Sequence, residues 1–130
     1  MVIHATIFTA LKTALAPVHG GKTRLMIAVE GENIDVIEKM LRTCDAHTEL
    51  FRLDNEGRTV LFYAAARGDS DIIWALLRRL PGTGIWCARG SLLNIKDHHG
   101  HLAEDIAETH GHDEAKHLLC HERIRIEYYE

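Results

Sequence analysis

A chain of 130 residues, 46% hydrophobic and 26% charged, is long enough to fold as one domain around its own core without disulfide or metal staples. Its net charge of −4 lacks the basic excess of a nucleic-acid module, and no apolar run is long enough to cross a membrane. The three cysteines, Cys44, Cys87 and Cys120, are odd in number, far apart and without a CxxC, as expected of a reducing intracellular setting.

Residues 2–15 place Ile3, Ile7, Leu11 and Leu15 at four-residue intervals with Phe8 beside them, which predicts a helix. The segment ends in "ALAP", an imitation of a signal-peptide cleavage site. No Lys or Arg opens it, however, and Lys12 interrupts its apolar part, so a leader is not expected. Gly21-Lys22-Thr23 then copies the end of a phosphate-binding loop. A full loop needs a glycine five residues earlier and a strand before it. Ala16 stands at that position, Pro17 removes an N–H donor, and the preceding pattern is helical. Nucleotide binding is not expected.

The glycine and threonine have another explanation, because the stretch recurs. Set in register on Gly21, Gly57 and Gly100, "GKTRLMIAVEGEN", "GRTVLFYAAARGD" and "GHLAEDIAETHGH" share a glycine start and small residues at Ala28, Ala64, Ala65 and Ala107. The first two also share Gly-x-Thr-x-Leu. Each is followed by a second helical face. It comprises Val36, Ile37, Met40 and Leu41, then Ile72, Ile73, Leu76 and Leu77, then Ala115, Lys116, Leu119 and Cys120, with Leu118 adding apolar surface. Thr23 and Thr59 stand where a hydroxyl can cap a helix start. Gly68 and Gly111 stand where the chain reverses between paired helices.

This pattern, over residues 19–121, resembles the ankyrin repeat. The resemblance implies an all-α solenoid of stacked helix-turn-helix units joined by finger loops. Its parts would be a capping helix over 1–18, a repeat over 19–53, a second over 54–96, a C-terminal capping repeat over 97–121 and a tail over 122–130. There are departures. The family's Pro-Leu-His is replaced by Arg24-Leu25-Met26, Val60-Leu61-Phe62 and Ala103-Glu104-Asp105, so the turn histidine is missing. Glu32 holds the place of the between-helix glycine, with Gly31 one residue early. The turn glycines lie 36 and then 43 residues apart, against about 33 in the family. The surplus falls near 43–50 and near 81–91, "PGTGIWCARGS". Glu104, Glu108 and Lys116 fit the polar outer surface of a terminal cap. The tail "RIRIEYYE" alternates Ile124, Ile126 and Tyr128, an extended signal.

The resemblance implies a non-enzymatic scaffold that binds another protein through its concave face and fingers, as an inhibitor, adaptor or host-directed effector. A monomer without cofactor or metal is expected. Residues beside the turn glycines and after the small alanines are the candidate contacts. These are His19, Lys22 and Glu30; Asn55, Glu56, Arg58, Ala66 and Arg67; and His98, His99, His101 and His110. Ile85 and Trp86 join them, being large apolar side chains in a glycine-rich insertion. Trp74, between Ile73 and the Leu76-Leu77 pair, reads as packing. A rival reading starts from the seven of ten histidines that fall between 98 and 121. His117 and His121 are i, i+4 on a helix and could share a transition metal such as zinc, with Cys120 adjacent. The same cluster could instead make a pH-sensitive surface. No nucleophile elbow, Cys-His signature or glycine-rich cofactor loop supports an enzyme.

Overall fold

A computed structural model describes residues 19–83 and 87–129. The helix expected over residues 2–15, together with Ile85 and Trp86, lies outside the described residues. Among the described residues there are eight α-helices and no strand: α1 (Arg24–Gly31), α2 (Ile34–Thr43), α3 (Ala46–Glu49), α4 (Val60–Arg67), α5 (Ser70–Leu77), α6 (Ala88–Leu93), α7 (Ala103–Thr109) and α8 (Asp113–Tyr129). They form three antiparallel hairpins, α1–α2, α4–α5 and α7–α8, piled side by side. First helices pack on first helices (α1 on α4 on α7) and second helices on second helices (α2 on α5 on α8).

The alanines make this stacking close. Ala64 and Ala65 of α4 and Ala107 of α7 are wholly buried, and Ala28 of α1 nearly so. The middle unit has a neighbour on both sides, so Val60, Leu61 and Phe62 are buried with the alanines on nearly every face of α4. Its partner α5 buries Ile72, Ile73, Ala75, Leu76 and Leu77. Two glycines show why no other residue serves at the turns. Gly57 has φ 77°, and a Cβ there would lie 2.6 Å from the His98 ring of the next finger. Gly68 closes α4 at φ 78°, and a Cβ there would run into the His112 ring of the next unit.

Where the sequence departs from the pattern, neighbours compensate. Glu32 ends α1 in an extended conformation. Arg67 reaches across from α4 and donates to the carbonyls of Val29 and Glu32, satisfying the end of α1 from outside. In the third unit His112 Nε2–H donates to the Ala66 carbonyl at 2.9 Å, tying α8 to the end of α4.

Several sequence expectations need correction. The tail is not extended: α8 runs unbroken through residues 122–129. Ala115, Leu119, Glu122 and Ile126 are its buried side chains, a helical stripe that happens to include a carboxylate. The insertion is not only a loop. It contains α6, whose Leu92 and Leu93 are buried and which packs against α8. Arg89 of α6 donates to the Leu77 and Leu80 carbonyls and to Glu122 Oε1 at 2.8 Å, while Arg125 holds the same carboxylate at 2.6 Å and the Gly82 carbonyl at 2.9 Å. Insertion and helix extension are thus one packed unit. Glu104 is therefore not solvent-facing but buried, paired with Arg123 Nε at 2.7 Å. Glu108 and Lys116 do stay at the surface, 3.1 Å apart. Trp74 is not core: it is 39% exposed, with the Arg89 guanidinium 5.2 Å from its ring centroid. The spacer near 43–50 holds the short α3.

Candidate protein-binding surface

The second and third fingers begin with the same turn. Asp54 Oδ1 accepts the N–H groups of Glu56 and Arg58, and Asp97 Oδ1 accepts those of His99 and His101. In each, the aspartate N–H donates to the carbonyl four residues on and the turn glycine N–H donates back to the aspartate carbonyl. The turns then stack. Asn55 N–H donates to the Gly20 carbonyl at 2.9 Å and His98 N–H to the Glu56 carbonyl at 2.8 Å. In both, one carboxylate fixes the backbone of the turn. The sequence signal was an aspartate three residues before Gly57 and again before Gly100. Those two aspartates were not among the candidates.

The other oxygen of each aspartate joins its finger to a helix or to the next unit. Asp54 Oδ2 accepts the Tyr63 hydroxyl of α4. Burial first, and then that hydrogen bond, push the phenol above its usual range, so it stays a donor. Asp97 Oδ2 accepts Arg58 Nε at 3.0 Å. Burial alone would push the Asp97 carboxyl up. Hydrogen bonds from His101 N–H, Arg58 and His99 N–H outweigh it and hold the carboxyl below the ordinary carboxylate range.

This geometry sorts the predicted contact residues into two groups. Lys22 lies 2.9 Å from Glu30 Oε1 and 5.3 Å from the Tyr63 ring centroid. Arg58 is divided between Asp97 and Glu56, the latter at 3.6 Å. Arg67 spans two units as described, and Ala66 supplies the carbonyl held by His112. These residues are engaged with neighbours of their own chain. By contrast Asn55, Glu56, His98, His99 and His101 are exposed at the finger tips. The His99 and His101 ring centroids stand 6.3 Å apart, and His101 Nδ1 is 3.9 Å from Asp97 Oδ2. His110 is exposed at the end of α7, its Nδ1–H donating to the Ile106 carbonyl at 2.9 Å, and its ring stacks on His112.

An open cleft of about 630 Å³ between α1, the end of α2 and α3 is lined in part by Leu25, Met40, Cys44 and Glu49, and by none of the predicted contact residues. Burial first and Glu49 next push the Cys44 thiol up, the opposite of an activated nucleophile. Among the described residues no group of three or more His, Cys, Asp or Glu is placed to hold a metal ion. No described helix is long and apolar enough to cross a membrane.

No curated protein matches the chain. The family model described as ankyrin repeats in 3 copies matches residues 4–86 and 25–129. With its three stacked hairpins, its glycine turns and its interlocked fingers, this chain belongs to the ankyrin-repeat family, whose repeats are generally protein–protein interaction modules and typically non-enzymatic.

Proposed function

We propose that the chain is an intracellular scaffold that binds a partner protein through its finger tips and the adjoining concave face. One observation carries the reading. The finger backbone is locked by Asp54, Asp97 and the inter-finger hydrogen bonds, while the side chains of Asn55, Glu56, His98 and His99 remain exposed at the tips. A surface fixed before binding loses little entropy when a partner docks. The three cysteines are free, in keeping with a reducing compartment.

The test is chemical cross-linking of the chain to proteins of its native source, read by mass spectrometry, beside a variant carrying Asn55→Ala, Glu56→Ala, His98→Ala and His99→Ala. A partner captured by the parent and lost by the variant, at unchanged melting temperature, supports the reading. Equal capture by both sinks it.

A further inference from the structure

The third finger differs from the second in chemistry while sharing its backbone. Where the second presents Asn55, Glu56 and Arg58, the third presents His98, His99 and His101, all exposed. We propose that this finger takes an extended acidic peptide of the partner, with side-chain carboxylates at alternate residues, and takes it when His99 and His101 are protonated. The proposal deepens the protein-binding reading and rests on it.

Spacing is the first reason. The two imidazole centroids lie 6.3 Å apart. An extended chain advances about 3.3 Å per residue and sends alternate side chains to one face, so carboxylates two residues apart stand about 6.6 Å from one another. Two imidazolium rings at that separation match two such carboxylates without distortion of either chain.

Charge is the second. Histidine acquires its positive charge near pH 6.5, in about the range 5–8. Four carboxylates of the finger and the elements beside it are already engaged. Asp97 holds Arg58 and two backbone N–H groups. Glu104 holds Arg123, and Asp105 accepts the Leu102 N–H at 2.8 Å. Glu56 lies 3.6 Å from Arg58 on the adjoining finger. Lys96, exposed beside the turn, adds a positive charge. Among the described residues neither His98 nor His99 makes an ion pair, and His101 shares Asp97 at 3.9 Å with Arg58. The scaffold itself survives the change, because the Asp97 carboxyl is held below the ordinary carboxylate range and stays ionised where histidines titrate.

The experiment uses the purified chain and a fluorescent Glu-Ser alternating octapeptide, titrated by polarisation at constant ionic strength at about pH 7.5 and about pH 5.5. The expected result is affinity about tenfold tighter at the lower pH, a gain lost in both His99→Gln and His101→Gln. Circular dichroism melts of the two variants, matching the parent, show that the loss is not unfolding. Equal affinity at the two pH values overturns the proposal, and so does a gain that persists in either variant. Acid-dependent binding to phosphatidylserine vesicles but not to the peptide also overturns it. Failure here, with the cross-linked partner still lost on finger-tip substitution, leaves the protein-binding reading standing.

Discussion

Thr23 and Thr59 occupy the same place in successive units, two residues after the turn glycine. Thr23 Oγ1 accepts the Met26 N–H at 3.1 Å, and Met26 Sδ takes the Thr23 N–H in return at 3.4 Å. Thr59 has no such exchange: the Phe62 N–H donates to the Thr59 carbonyl at 3.1 Å, and the Phe62 ring offers the Thr59 N–H no acceptor. Its hydroxyl is fully buried and has no partner among the described residues. Thr23→Ala should therefore destabilise the fold by about 1 kcal/mol. Thr59→Val, which replaces a buried unpaired hydroxyl by a methyl of equal size, should raise stability by about 1 kcal/mol. Urea unfolding of both variants checks the pair; an equal loss in both would show that Thr59 caps its helix after all. The sequence made the two threonines look alike because the motif Gly-x-Thr-x-Leu is common to both. What separates them is where the N–H three residues further on is sent, to the hydroxyl of Thr23 but to the carbonyl of Thr59, and whether the side chain there can accept a bond in return.

The C-terminal helix shows the same limit over a longer span. Its buried stripe of Ala115, Leu119, Glu122 and Ile126 has helical spacing, yet a reader who looks for apolar residues loses it at Glu122. Beyond that break only the alternation of Ile124, Ile126 and Tyr128 is visible, and it points to the wrong backbone. The carboxylate is buried because Arg89 and Arg125 come to meet it, one from the insertion and one from the next turn of α8. Arg89, 33 residues away, cannot be inferred from local pattern. Removing the carboxylate takes the counter-charge from two partly buried guanidiniums, so Glu122→Gln should destabilise the fold by about 3 kcal/mol. A pH signature goes with it. The Arg125 hydrogen bond, working against burial and helped by Arg89, holds the Glu122 carboxyl below its ordinary 4.5. A carboxyl with a lowered folded value stabilises fully above the unfolded value, and that stability is lost as pH falls through the folded one. The parent should therefore lose stability more steeply than Glu122→Gln below pH 4.5, as followed by thermal melts across an acid series. Parallel profiles would mean the carboxylate is solvated.

At the scale of the molecule, the stack and its glycine turns were legible because each unit repeats the same solution to the same packing problem. The division of labour on its surface was not. Position along the repeat marks a residue as near the concave face, but it does not say whether the side chain is spent on a neighbour. Arg58 and Arg67 share the positions expected of contact residues, yet both bind their own chain across a unit boundary. In a solenoid, stability is close to a sum of unit terms and nearest-neighbour terms. Arg67 belongs to the second kind, since it donates from the middle unit to the Val29 and Glu32 carbonyls at the end of α1. Arg67→Met keeps most of the stem and removes the donor. It should lower stability by about 1–2 kcal/mol, with a fall of roughly 3–6 °C in melting temperature. Asn55→Ala and His99→Ala, at exposed tips, should stay within about 0.5 kcal/mol of the parent. Calorimetry separates the two groups before any partner is in hand. If Arg67→Met melts with the parent and yet loses the cross-linked partner, the guanidinium is a contact residue, and the boundary between scaffold and recognition surface must be redrawn to include the inner helices.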